Sequence, residues 1–305
     1  MGEQFERHID STEDVLVFTI KEEMELLKFL FAAMSHRSRN SVKSILGRGQ
    51  VTVEDYIVTQ FNYPLHPGQT VHILKNKAAL KESTLIGITI MYEDKDVLVL
   101  KKDAGLLSVA TDKEKDLTVH SQLMNYVRLS GPLNKIYVVH RLDKDTSGVM
   151  MFAKSEQVRQ ALQRSWQQSV KERTYMALVE GTVKKEAATI KSWLRETKTR
   201  VVYSSHTKDD GLRAVTHYKK IQANPNYSLL EVELETGRKN QIRVHMKDIG
   251  HSVVGDKKYG STQNVIGRLG LHAKVLAFIH PTTKEMMRFE ADVPASFYNK
   301  SRLQR

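Results

Sequence analysis

His140-Arg141-Leu142-Asp143-Lys144-Asp145-Thr146-Ser147-Gly148 is the stretch on which the reading of this chain turns. It follows the apolar run Ile136-Tyr137-Val138-Val139 and precedes another, Val149-Met150-Met151-Phe152-Ala153. Short apolar runs bounded by turn residues read as buried strands. A charged and small-polar insert between two such strands is a loop, and loops on a rigid scaffold are where catalytic groups sit. The spacing therefore predicts a strand-to-strand loop that presents Asp143 in a cleft. Asp145 reads as solvent-facing, and Thr146 to Gly148 as the turn. Taken alone, Asp143 reads equally well as a structural carboxylate that accepts backbone amides.

Two later stretches share this density of polar groups beside a strand. One is the strand holding Arg173-Thr174-Tyr175; the other is Thr236-Gly237-Arg238-Lys239-Asn240-Gln241-Ile242-Arg243-Val244-His245. Ahead of the second, Leu230, Val232 and Leu234 alternate with Glu231, Glu233 and Glu235, the pattern of a half-exposed antiparallel strand. A strand that runs through glycine into the basic start of a helix makes a natural anion site. Arg243 lies between Ile242 and Val244, and an arginine half-buried there needs an anionic partner. Asp143 is the candidate. Tyr175 shares a strand face with Ala177 and Val179, which by itself describes a core tyrosine. Arg238 and Lys239 fit phosphate contacts and catalytic groups alike. His245 and His251 stand six apart with no His-Glu-x-x-His, so no metal is expected.

The 305 residues suffice for two domains. Forty-seven Lys and Arg against 35 Asp and Glu leave a net charge of +12, which favours a polyanionic partner, nucleic acid first. No apolar run approaches the ~20 residues that span a bilayer, so no membrane partner is expected. With no cysteine, disulfides, thiolate metal sites and a cysteine nucleophile are excluded. The start Met1-Gly2-Glu3-Gln4 lacks a signal-peptide pattern. A cytoplasmic location and a monomer are the expectations.

Residues 1–20 read as an irregular leader with one strand candidate, Val15 to Ile20. A first module spans 21–78, a polar Lys-rich linker 79–85, and a second domain 86–305. In the first module, Met24, Leu27, Phe29, Leu30 and Phe31 fit a buried helical stripe. The stretch 35–49 that follows has no acidic residue. Val42, Ile45 and Leu46 give its helix an inner face, leaving Arg37, Arg39, Lys43 and Arg48 to point outwards. Val51 and Val53 then alternate as in a strand, and Gly68 with Val71 and Ile73 suggests a closing hairpin. Two helices, Gly49-x-Val51-x-Val53 and Gly68-x-x-Val71 resemble the small RNA-binding module named after ribosomal protein S-four. A pair of residues, Glu54-Asp55, stands where that module has Asn-Gly. The resemblance implies phosphate contacts from Arg37, Arg39, Lys43 and Arg48, which govern affinity more than sequence choice.

In the second domain, 88–92 and 97–100 read as a strand pair, and Val119, Leu123 and Val127 as a helix. Ser155 reads as the cap of a helix with Val158, Ala161, Leu162 and Trp166 inside. The polar stretch 196–211 reads as a mobile hairpin or loop. His140-Arg141-Leu142-Asp143 with Thr146-Ser147-Gly148 and Ala153-Lys154 resembles the signature of the RluA-type pseudouridine synthases. Four further stretches are similar to that family: Lys101-Lys102-x-Ala104-Gly105-Leu106, Thr236-Gly237-Arg238 with Gln241 to His245, Gly255-Asp256-x-x-Tyr259-Gly260, and Leu271-His272-Ala273. The resemblance covers about residues 86–298.

It implies an α+β fold with a mixed, largely antiparallel sheet and flanking helices, here joined to the small N-terminal α/β module. It implies isomerisation of uridine to pseudouridine in structured RNA without a cofactor. Large-subunit ribosomal RNA is the first expectation. Transfer RNA, or a non-catalytic role in ribosome assembly, is the alternative. The family's aspartate, tyrosine and arginine map onto Asp143, Tyr175 and Arg243, and its small apolar wall residue onto Ile242. Arg141 maps onto the arginine that helps open the RNA, and Arg238 and Lys239 count with it as substrate-binding. The family's lysine two residues before the tyrosine is Arg173 here, and its histidine before Gln-x-Arg is Asn240. In chemical terms, an ionised carboxylate can attack the sugar or the base, or take a ribose proton, and Arg243 would keep it ionised.

Overall fold

The computed structural model describes residues 5–8, 15–47, 49–54, 56–58, 60–74, 85–111, 117–208 and 210–303. Arg48 and 79–84 of the expected linker lie outside the described residues. The chain divides into two compact units, Met1–Ile88 with Val109–Lys135, and Thr89–Ser108 with Ile136–Arg305. Residues 109–135, which the sequence assigns to the second domain, thus group with the first.

The first unit holds strands β1 (Phe5–His8), β2 (Val15–Ile20), β3 (Met24–Glu25), β4 (Val51–Val53), β5 (Tyr56–Ile57), β6 (Pro64–Leu65) and β7 (Thr70–Leu74), with helices α1 (Leu26–Ala33), α2 (Arg39–Gly47) and α3 (Val119–Leu129). Five strands form an antiparallel sheet in the order β1-β2-β7-β4-β5. Val15–Ile20 is the strand expected there, and residues 5–8 form a second strand beside it, where an irregular leader was expected. The reason is that Phe18 and Ile20 are buried in the same core as Phe29, Val51 and Ile73. Met24 pairs with Leu65 in β3-β6, outside the helical stripe. The two valine repeats meet directly, Val53 opposite Val71. Helix α3 starts on a Thr118 capping box, and Gln122 bonds both the N–H and the C=O of Ile86. That two-way bond explains why α3 belongs with the first unit.

The second unit is built on one 11-stranded sheet. Its strands are β8 (Ile88–Glu93), β9 (Val97–Lys102), β10 (Tyr137–Val138), β11 (Ser147–Ala153), β12 (Val170–Glu180), β13 (Ala187–Glu196), β14 (Val202–Ser205), β15 (Leu212–Ala223), β16 (Tyr227–Leu234), β17 (Leu271–Ile279) and β18 (Met286–Glu290). The order is β14-β13-β15-β16-β12-β17-β11-β9-β8, with β10 on β11 and β18 on β17. All the described pairs are antiparallel except β11 with β17, where Ser147 lies opposite His272 and Gly148 opposite Ala273. Helices α4 (Glu156–Arg164), α5 (Trp166–Ser169), α6 (Gln241–Asp248) and α7 (Ala295–Ser301) accompany the sheet. Ser155 caps α4, accepting from the Val158 N–H.

Strand alternation sorts the core into clusters. Val97, Val99, Val149, Met151 and Phe278 share one with Val158 and Leu162 of α4. Ala177, Val179, Leu230 and Val232 share another with Ile242 and Met246 of α6. The expected loop at 196–211 contains a hairpin, β13 to β14, whose Val202 is buried beside Val244 and Tyr259.

Candidate active site

Asp143 lies in the loop between β10 and β11, as its flanking apolar runs predict. The loop is tied from several sides. Ser108 Oγ donates to the Leu142 carbonyl at 2.7 Å and accepts from the Leu142 N–H at 3.2 Å. The Thr146 N–H donates back to the Asp143 carbonyl at 3.1 Å, closing the turn through exposed Lys144 and Asp145. Lys102 Nζ donates to the Lys144 carbonyl. A half-exposed carboxylate is thus held on a loop with little freedom.

Tyr175 comes from β12, at an irregularity in its pairing with β17. Thr174 lies opposite Val275 and Tyr175 opposite Ala273, so Lys274 is the extra residue of a bulge. Bulges re-aim side chains next to active sites. Tyr175 packs against the cluster of Ala177, Val179 and Ile242 while still lining the pocket. Burial pushes its hydroxyl above the ordinary value, against Arg173 and with help from Asp143.

Ile242 and Arg243 come from the first turn of α6. That helix is anchored by polar groups inside the core. Gln241 Nε2 donates to the Val215 carbonyl and to Thr216 Oγ1, and its Oε1 accepts from Thr236 Oγ1 and from the Arg238 N–H. His245 has no exposed surface and is bonded to Ser192 at 2.9 Å and to Thr216 at 2.8 Å. Asn240, before the helix, adopts φ 54°.

These elements meet in one pocket. It is lined by Arg141, Asp143, Tyr175, Arg238, Ile242 and Arg243, with Leu142, Thr146, Leu234, Asn240, Gln241 and Leu271 completing the wall. Arg243 Nη1 donates to Asp143 Oδ2 at 3.1 Å, the pairing expected from sequence. Arg243 Nε and Nη2 donate to the two oxygens of Asp256, each at 2.7 Å. Burial works against the guanidinium, but the bonds and charge of Asp256, then of Asp143, raise its pKa above the ordinary value. The guanidinium also lies 5.0 Å over the Tyr259 ring.

Asp256 and Tyr259 are the partners that sequence reasoning missed. The available signal was the stretch Gly255-Asp256-x-x-Tyr259-Gly260, which is similar to the family and brings an aspartate and a tyrosine close after Arg243. Lys239 is placed differently from expectation. It is absent from the pocket wall and pairs with Glu196 on β13. The two departures from the family pattern have structural duties. Arg173 Nη2 donates to the carbonyls of Leu234 and Glu235, each at 2.9 Å, bracing the end of β16. Asn240 Nδ2 donates to the Tyr259 hydroxyl at 2.8 Å. His140 stays neutral, pushed down to about 4 by burial and then by Arg173. It accepts from the Met151 N–H and faces Trp166, a structural role.

In the first unit Arg37 and Arg39 are exposed and Lys43 half-buried, with Arg39 lying 5.5 Å over the Phe31 ring. No group of three or more His, Asp or Glu suited to a metal occurs among the described residues. None of the described helices is long and apolar enough to cross a membrane.

Over residues 96–248 the chain matches the family described as RNA pseudouridylate synthase. It is 35% identical over 274 residues to a Bacillus subtilis protein named Uncharacterized RNA pseudouridine synthase YlyB, covering 88% of this chain and 89% of the relative. It is 32% identical over 295 residues to the Ribosomal large subunit pseudouridine synthase D of Zymomonas mobilis, covering 90% and 93%. Among solved structures, Human RNA Pseudouridylate Synthase Domain Containing 1 shares the fold. That likeness has a TM-score of 0.57 and 24% identity over 70% of this chain and 87% of the other.

Proposed function

This chain belongs to the RNA pseudouridylate synthase family, an isomerase acting on RNA, and we propose that it modifies large-subunit ribosomal RNA in the cytoplasm through Asp143, Tyr175 and Arg243. The observation that carries the residue assignment is the bond from Arg243 Nη1 to Asp143 Oδ2 across a pocket walled by Tyr175 and Ile242. The reaction breaks the carbon–nitrogen glycosidic bond, turns the uracil and forms a carbon–carbon bond. Nothing is oxidised, reduced or hydrolysed overall. Every route through these steps begins with an ionised carboxylate near the ribose and base, and Asp143 supplies it.

The target base must first leave its stack, at a cost of a few kcal/mol. Arg141, exposed on the same loop, takes up the vacated space. Tyr175, kept as a phenol, stacks on the extruded uracil, and Ile242 closes the apolar side. Arg238 on the rim meets the backbone phosphates. The S-four-like module adds phosphate contacts through Arg37, Arg39 and Lys43. Ribosomal RNA is favoured by the name of the Zymomonas relative and by that appended basic module.

The test is pseudouridine mapping across ribosomal and transfer RNA in cells with and without the gene. One or a few large-subunit sites should vanish, return with the wild-type gene, and stay absent with Asp143→Asn. Loss confined to a transfer RNA would move the substrate. Full restoration by Asp143→Asn would overturn the residue assignment.

A further inference from the structure

We propose that Asp256 sets how much of the Arg243 charge reaches Asp143, so that the reacting carboxylate is oriented without being locked into a full ion pair. This rests on the reading of Asp143 as the reacting group. A guanidinium has five N–H donors in a fixed fork. Asp256 takes two of them in parallel at 2.7 Å, the stronger geometry, and its side chain has no solvent exposure. Asp143 takes one at 3.1 Å and keeps 29% of its side chain exposed. Asn240 Oδ1 accepts from the same Nη1 at 3.4 Å. Asp256 is itself fixed by the Tyr259 N–H at 3.2 Å. Tyr259, whose ring lies by the guanidinium, accepts at its hydroxyl from Asn240 and from the Val202 N–H at 3.1 Å. Arg243 is thus held by contacts that do not need Asp143.

The consequence is electrostatic. Arg243 and Asp256 together carry no net charge. A lone cation beside a carboxylate lowers its pKa by roughly 1–3 units. A neutralised pair supplies the directional bond with far less of that pull. A carboxylate held too firmly ionised is a weaker base and a weaker nucleophile. The other groups facing Asp143 are Lys102 on β9, Tyr175 on β12, and Lys258 in the turn Lys257–Tyr259. Arg141, Lys144 and Asp145 are its neighbours on the loop. All are unchanged in the variants below, so a shift reports on Arg243.

Asp256→Asn removes the charge and keeps the shape. In carboxyl carbon-13 NMR of the labelled full chain, with Asp143 assigned through Asp143→Asn, Asp143 should titrate about one pH unit lower than in wild type. The kcat on RNA should fall by about threefold to tenfold while KM stays within about threefold. Asn240→Asp, which adds a charge at the same nitrogen, should move the titration upwards. Asp256→Glu should restore the wild-type position. If Asp256→Asn does not fold, Asn240→Asp carries the test alone. A titration unmoved in these variants, or moved up by Asp256→Asn, overturns the proposal. So does a fall in kcat without a shift, because a merely structural aspartate would give that. Full turnover by Asp143→Asn sinks the catalytic reading instead, and leaves the titration of Asp143 to judge the charge sharing.

Discussion

The ammonium of Lys102 is fully buried and donates to three carbonyls, those of Asp103 and Leu106 at 2.8 Å and of Lys144 at 2.9 Å. Burial pushes it down to about 7, with Asp145 opposing and Arg268 assisting. Its last acceptor is the residue next to Asp143. One cation therefore ties the segment after β9 to the loop that carries Asp143. Lys102→Met leaves these carbonyls short of a donor, at about 1–3 kcal/mol for each buried group left unsatisfied. Loss of the buried charge offsets part of that. We expect a net loss of roughly 2–4 kcal/mol in denaturant unfolding. A loop displaced by about 1 Å should cost kcat roughly a hundredfold. Activity within twofold of wild type, on an intact fold, would mean that Ser108 alone holds the loop. Single residues were legible where chemistry forces a partner: Arg243 needs an anion and meets Asp143, whereas Tyr175, a core tyrosine by its strand pattern, was expected in the site from the family resemblance alone. Asp256 escaped because it shares the same arginine, and one predicted anion already satisfied the demand. Lys239 escaped for the opposite reason: a lysine at a helix start is free to turn either way, and Glu196 on another strand decides.

At the scale of elements, the decisive joint is the one parallel pairing among the described strands, β11 with β17. Strand β11 is buried along its whole length, so its apolar run was readable. Its partner was not, because β17 lies more than a hundred residues further on and no local pattern encodes parallel contact. The same holds for β2, whose place depends on pairing with β7, and for β1, which pairs with β2. The pairing begins at Ser147 and runs on to Gly148, five residues after Asp143. The φ of Gly148 is 118°, and a Cβ there would stand 2.0 Å from the Ala273 carbonyl oxygen. Backbone meets backbone at that point, so no side chain can move aside. Gly148→Ala must either part the strands or abandon the conformation, which L residues rarely adopt. We expect insoluble protein, or a loss of more than about 3 kcal/mol with the parallel pair opened. Backbone amide exchange at Ser147 and Ala273 measures this directly. Unchanged protection there would show that the joint tolerates a methyl group.

Across the whole chain, the buried histidines couple stability to pH. His245 and His272 are nearly inaccessible and each is pushed to about 4, by burial first. Asp248 opposes the shift at His245; at His272 the Ala291 carbonyl opposes it, and Arg268 and Lys101 assist it. Both serve as neutral hydrogen-bonding struts. His245 links α6 to β13 and β15, and His272 bonds Ser147 at 2.7 Å across the parallel pair. In the unfolded chain each regains a pKa near 6.5. Above that value neither state holds the proton, and the stability of the neutral struts is fully present. Between about 6.5 and 4 the unfolded state binds protons that the folded state refuses. Each histidine then costs about 1.4 kcal/mol per pH unit, and nothing further is lost below 4. With His140, which is pushed down to about 4 in the same way, three such groups should lower the thermal midpoint of the second unit by roughly 5 °C or more between pH 7.5 and 5.5. Calorimetry at half-unit steps measures the slope, and His245→Gln should remove close to a third of it. A midpoint that holds steady over that range would mean that these imidazoles accept protons in the folded protein, and that α6 and the parallel pair do not need them neutral.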